Sequence, residues 1–379
     1  MFIRKPIQQP LQLWCRCISS APLPPQNEWR AAFPIARQVS RVFLRNPELS
    51  KRLANAFLKD EPNGKENTSS GGGGKIVIEA FPGPGMLTRS LLDLPESKLK
   101  KLIVLESTQD YLKYLTPLAA CDPRVVIVPL SGFDWTTYKE IEARGLLDDV
   151  VKKDWTDERP NLHFVSHIPN STLGDQVVAQ FFRLIPERSW LFKYGRVPMS
   201  LIIADGLHNR ARALPSSQAY CKVSVIAQAV SEIEEAIPTK DLSPYNNYFY
   251  PPTGLQGEKR TANRPAGTPN AAINVWPLAK SRMEQGMLDK WDYVLRRLFV
   301  LRGTPMKRAM NSLAPGALNL LHVLTDANLP EEQRLDVNKK VRDLTVDEWA
   351  LVVKAFDEWP FAPEDLAISD SIYNDVERS

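Results

Sequence analysis

Apolar positions along this chain fall into short unbroken runs separated by longer stretches of period 3.6. Ile76–Ile78, Leu102–Leu105, Val125–Leu130, His163–Ile168 and Ser200–Ala204 read as five buried strands, because a strand covered on both faces has no polar side to alternate with. Between them, Met86–Leu94, Thr136–Leu147 and Leu173–Leu184 read as helices, the last burying Val177, Val178, Phe181 and Phe182. Ile233–Ala236 and Ala271–Val275 supply two more strands, Tyr220–Val230 an apolar helix and Pro251–Pro269 a long loop. Strands alternating with helices predict an α/β sheet of seven strands, Rossmann-like and largely parallel.

Outside that block the pattern changes. Asn46-Pro47-Glu48 starts a helix over 47–58, with a capping side chain, proline at the first helical position and an early acid. Leu49, Leu53 and Phe57 give it one apolar face. Asp60–Gly74 has the composition of a flexible linker. From Gln285 to about Trp359 the period is 3.6, which predicts a small helical domain, and residues 361–379 form an acidic tail. The expected organisation is a leader over 1–27, a helix and linker over 28–74, the α/β domain over 75–280, the helical domain over 281–360 and the tail.

At 379 residues, with 43% apolar and 24% charged side chains, the chain can bury one full α/β core and a smaller one. No apolar run reaches the length of a membrane span. The formal charge of +4 is local: residues 1–27 hold Arg4, Lys5 and Arg16 and no acid, leaving the remainder near +1. Nucleic-acid binding would therefore rest on patches. The acid-free first twenty residues, mixing Arg and Lys with Ile, Leu and Trp, read as a mitochondrial transit peptide, with a basic tail as the alternative. Cys121 and Cys221 stand alone, without disulfide or zinc spacing.

The chemistry concentrates in Glu79-Ala-Phe-Pro-Gly-Pro-Gly-Met-Leu-Thr88. A strand, a glycine turn and a helix present backbone N–H groups and a helix N-terminus to a ligand. Gly83 and Gly85 form the turn, and Glu106 follows Gly85 by 21 residues, near the spacing at which an acid meets ribose hydroxyls. Thr88 replaces the third glycine of a dinucleotide fingerprint, which speaks against a nicotinamide oxidoreductase.

In order along the chain, Arg41-Val-Phe-Leu44 with Asn46-Pro47, Glu79–Thr88, Val104-Leu105-Glu106, His167-Ile168-Pro169-Asn170, Arg210 with Pro215-Ser216 and Tyr220, and Trp291–Arg302 resemble one family. It is that of the ribosomal RNA adenine N6-dimethyltransferases and their mitochondrial transcription-factor B relatives. The resemblance implies a methyltransferase fold with a small C-terminal helical domain. It also implies an S-adenosylmethionine site at Glu79, Gly83, Gly85, Glu106 and Asp134, and a catalytic motif at His167–Asn170. Three departures stand out. Phe81 replaces the first loop glycine, Arg41-Val42 replace a Gln-Asn pair, and Asp134 lies displaced from the adenine-contacting acid. In the catalytic motif His167 stands for the amide that accepts from the adenine amine, and Asn170 for the aromatic that stacks on the base. The residues alone also allow a strand-to-helix turn there, capped by Asn170 or Ser171.

Lys290–Arg308 concentrates Arg296, Arg297, Arg302, Lys307 and Arg308 around one acid, Asp292, and with Arg210 and Arg212 makes the expected nucleic-acid surface. Arg302, Lys307 and Arg308 flank a Gly-Thr-Pro break and are expected to face solvent. Two functions fit: a mitochondrial matrix initiation factor working with mitochondrial RNA polymerase on promoter DNA, the site degraded and the cofactor weakly bound or vestigial; or a mitochondrial rRNA adenine dimethyltransferase.

Overall fold

The computed structural model describes residues 22–34, 41–59, 74–254 and 266–366. Most of the expected leader, the linker over 60–73 and the end of the acidic tail lie outside the described residues. Seven strands form one sheet: β1 Lys75–Ala80, β2 Leu99–Leu105, β3 Val125–Val128, β4 Leu162–His167, β5 Met199–Ala204, β6 Ser231–Glu235 and β7 Asn270–Pro277. Their order is β3-β2-β1-β4-β5-β7-β6. β1 through β5 pair in parallel, and β7 runs antiparallel to β5. The order reverses between β1 and β4, so this fold opens its ligand crevice at their C-terminal ends. Register puts Glu79 opposite Val104 and Val165, with Ala80 opposite Leu105. Glu79, Glu106 and His167 are thereby brought to one edge of the sheet at the switch point.

Each helix stops where its local chemistry dictates. α1, Pro47–Phe57, is capped by Asn46 Oδ1, which accepts from the Leu49 N–H at 2.9 Å. α2, Met86–Leu92, ends three residues before Pro95, shorter than the expected run to Leu94. α3 covers Gln109–Cys121. α4, Trp135–Ala143, ends short of Leu147 because Gly145 takes the left-handed conformation that closes a helix, at φ 69°. α5 is Thr172–Leu184, α6 Asp205–Ala211 and α7 Lys222–Val230.

Contacts divide the described chain into two compact units. The first takes its residues from 1–178, 190–208 and 233–276. Next to its sheet sits an aromatic cluster of Trp29, Phe33, Phe43, Tyr111 and Tyr250, whose ring centroids lie 5.2–5.8 Å apart in the tightest pairs. Phe43–Leu44 pairs antiparallel with Phe249–Tyr250 and fixes the segment that begins at Arg41. Pro24 and Gln26, within the expected leader, bond to Trp29 Nε1 and to Arg45. A buried polar chain crosses three strands: His163 Nε2 lies 2.8 Å from Ser200 Oγ, which lies 2.6 Å from Asn274 Oδ1. Asn274 Nδ2 donates to the Ala56 carbonyl at 3.0 Å, tying the C-terminus of α1 to the sheet.

The second unit takes residues 179–189, 209–232 and those from 277 on. It holds α8, Leu288–Phe299, and α9, Val346–Asp357. The helical run expected from Gln285 to Trp359 is instead two long helices joined by short helical pieces, among them Met306–Ala309 and Leu320–Leu324, because Pro305, Pro315 and Pro330 interrupt the ladder. α9 begins at a capping box of Thr345 and Glu348. Tyr293 stacks on Phe356 at 5.3 Å and Phe299 on Trp349 at 5.2 Å, which joins α8 to α9.

Candidate functional site

The turn after β1 carries a backbone made for glycine and a side chain that is not. Phe81 sits at φ 57°, in the left-handed region that costs a non-glycine residue about 1–2 kcal/mol. Its ring is buried and packs 4.5 Å from Phe133. Gly83 and Gly85 also have positive φ, and their freedom is demanded by the chain's own packing. A Cβ on Gly83 would lie 2.8 Å from Phe43 Cβ, and one on Gly85 2.5 Å from Leu115 Cδ2.

Glu106, one residue beyond β2, is fully buried and fully engaged. Its Oε1 accepts from the backbone N–H groups of Ser107 at 3.0 Å and Thr108 at 2.9 Å. Arg41 adds two more bonds, with Nη1 3.3 Å from Oε1 and Nη2 2.5 Å from Oε2. The same guanidinium lies 5.4 Å from the centroid of Phe81 and 5.3 Å from that of Tyr111, within cation–π range of both.

Glu79 is the opposite case. Neither carboxylate oxygen has a hydrogen-bond partner in range, and burial pushes the group up to about 8, outweighing the pull of the Thr88 hydroxyl and Arg89. At neutral pH it is mainly a protonated carboxyl. Arg89 is spent on the backbone carbonyls of Pro84, Gly85 and Tyr114, each at 2.9 Å. His167 is buried as well, its Nε2 without a partner, and burial with nearby Arg41 pushes it down to about 3. The imidazole is therefore neutral and stands edge-on to Phe249, with centroids 5.9 Å apart.

Leu44, Glu79, Pro82, Leu87 and His167 line the space left between these groups, a cavity of about 10 Å³. That is room for about one water. S-adenosylmethionine does not fit this arrangement: the cavity holds about one water, and both oxygens of Glu106 already accept hydrogen bonds from Arg41. Asp134 sits exposed at the N-cap of α4 without capping it. Asn170 is buried with its Nδ2 unpartnered, while Ser171 Oγ accepts the Gly174 N–H at 3.0 Å and caps α5. Ile168 and Pro169 are buried in the turn between. A neutral imidazole has one acceptor nitrogen, and a carboxamide offers no aromatic ring for a base to stack on.

The basic residues of the second unit are unequal. Arg302, expected to face solvent, is half-buried, because its guanidinium donates to the Gln218 carbonyl at 3.1 Å. Lys307 and Arg308 are exposed, Lys307 bonding Asn338 Oδ1 at 2.9 Å. Arg297 is exposed and lies over the Tyr293 ring at 5.3 Å, while Arg296 is half-buried. Asp292, the acid of this stretch, is buried and paired with Arg183 and Lys222, so it does not neutralise the exposed cations. Arg210 is half-buried near the end of α6 and Arg212 exposed just beyond it.

A model of the ribosomal RNA adenine dimethylase family matches residues 36–358, which spans the switch-point edge and both units. The chain belongs to the ribosomal RNA adenine dimethylase family. Among curated relatives, "Mitochondrial transcription factor 1" of Saccharomyces paradoxus is 25% identical over 297 residues, 76% of this chain and 81% of that protein. "Dimethyladenosine transferase 1, mitochondrial" of Xenopus tropicalis is 27% identical over 204 residues, 53% of this chain and 56% of that protein. The crystal structure of a dimethyladenosine transferase from Plasmodium falciparum superposes with a TM-score of 0.51 at 14% identity, covering 83% of this chain and 98% of that one. This likeness supports the dimethylase fold. Against that family background, sequence reasoning missed Arg41 as a partner of Glu106. The signal was present in Arg41-Val42, where the family resemblance calls for an uncharged Gln-Asn pair.

Proposed function

We propose that this dimethylase-family chain is a mitochondrial transcription initiation factor. It assists mitochondrial RNA polymerase in recognising promoters and opening DNA, and its methyl-transfer chemistry has lapsed. One observation carries the second half of this reading: a neutral, buried His167 and a non-aromatic Asn170 stand beside a nucleoside crevice with room for about one water. The S-adenosylmethionine site is then vestigial and the protein works in the matrix. Promoter DNA is held by local basic groups, Arg296, Arg297, Lys307 and Arg308 first, with Arg210 and Arg212 as a second surface. The similarity to curated mitochondrial transcription factors over 76% of the chain supports this assignment.

The second reading is a mitochondrial rRNA adenine N6-dimethyltransferase, favoured by the retention of Glu79, Gly83, Gly85 and Glu106. Its weight is reduced because internal packing already accounts for both glycines and Arg41 accounts for Glu106. Transfer of a labelled methyl group to small-subunit rRNA decides between them. The expected result is no dimethyladenosine; turnover that disappears with His167→Ala would put the enzyme first.

A further inference from the structure

We infer that Arg41 is a built-in occupant of the ribose position, and that the crevice at the sheet's switch point is a latent ribonucleoside site closed by the chain itself. This rests on the reading that the protein uses no cofactor, and it names what replaced one. In a doubly wound sheet the acid just past the second strand receives the two hydroxyls of a ribose. A guanidinium offers the same acid two parallel donors in a rigid fork, so it satisfies a site built for a diol. Here the fork is engaged at 2.5 and 3.3 Å, and the acid's other bonds go to the N–H groups of its own turn.

The rest of the side chain is held as firmly. Phe81 and Tyr111 lie against the guanidinium, and the ribbon of Phe43–Leu44 with Phe249–Tyr250 fixes the backbone two residues on. Phe81 is the second half of the closure, because it keeps the left-handed backbone of a glycine turn while its ring takes the space above. Of the titratable side chains beside it, Glu79 is mainly protonated and His167 uncharged, so neither attracts a charged ligand. The crevice retains the carboxylate and the turn of a nucleoside site, and two side chains stand where the nucleoside would.

Calorimetry on the full chain with S-adenosylhomocysteine tests this, with adenosine as a second probe. Wild type should show no saturable heat. Arg41→Met with Phe81→Gly frees Glu106, keeps part of the arginine stem's packing and removes the ring. That variant should bind at least about tenfold more tightly than the wild-type limit. The inference is overturned if the folded variant binds no better than wild type, or if wild type binds as tightly as the variant. Should Arg41→Met fail to fold, adding Glu106→Gln removes the buried charge it strands, and the melting temperature should recover toward wild type. A further fall on adding Glu106→Gln overturns the pairing. Transcription by the wild-type protein is untouched by either result, so failure here leaves the proposed function standing.

Discussion

Glu79→Gln should make the protein more stable at pH 8 and leave it almost unchanged near pH 5. The carboxyl is 1% exposed, both of its oxygens lack a hydrogen-bond partner, and burial lifts it from 4.5 to about 8. An acid whose folded value lies above its unfolded value keeps a proton that the unfolded chain has released. Its contribution is thus fully present below pH 4.5, falls as pH rises through the window, and is flat above about 8. Each pH step inside the window costs about 1.4 kcal/mol, so the whole fall is on the order of 3–5 kcal/mol. Glutamine has nearly the same shape and no proton to lose. His167, pushed down to about 3, weakens the fold as pH drops below its ordinary value of 6.5, but it does so in both proteins and cancels from the difference. Urea denaturation of the two proteins from pH 5 to 8.5 reads the effect directly. The gap should be near zero at the acid end and widen to several kcal/mol. Parallel curves, or a glutamine variant weaker at every pH, would mean that Glu79 is ionised and paired, and the account of this crevice would be wrong.

Ser200→Ala removes the hydroxyl between His163 and Asn274 and should cost on the order of 1–3 kcal/mol, read as a lower urea midpoint at constant slope; no change would mean the buried chain contributes nothing. Replacing Arg297, Lys307 and Arg308 with Ala should flatten the salt dependence of duplex DNA binding by about two to three units, at about 0.9 for each phosphate contact, with unchanged melting. An unaltered slope moves the surface to Arg210 and Arg212. Deleting residues 1–20 should leave the protein in the cytosol with the melting temperature unchanged, and mitochondrial uptake of the truncated chain refutes the leader.

The sheet was legible because parallel strands buried on both faces are written as unbroken apolar runs, and the acids Glu79 and Glu106 stand at their ends. Its edges were less so. β6 reads Ser-Glu-Ile-Glu-Glu, too polar to place to the residue. The Arg41–Glu106 pair was hidden by 65 residues of separation: a charge at Arg41, where the family resemblance calls for an uncharged residue, is the local hint, and it does not name its partner. His163, Ser200 and Asn274 each look like a polar interruption of an apolar strand, and they make sense only once β4, β5 and β7 lie side by side. In the second unit the helical period is real, but Pro305, Pro315 and Pro330 divide it, and the period alone does not show where. Arg302 shows the limit for surface charge: sequence spacing sets which face a cation leaves from, and only the fold shows that the Gln218 carbonyl is waiting for it.

The central claim is that a chain of the dimethylase family starts transcription and does not methylate. Run-off transcription on a mitochondrial promoter, with the cognate polymerase and no S-adenosylmethionine, tests it most directly. Adding the protein should produce promoter-length transcript from duplex template, and His167→Ala should perform as wild type does. Polymerase that initiates equally well without the protein, or a strict requirement for S-adenosylmethionine, would contradict the account.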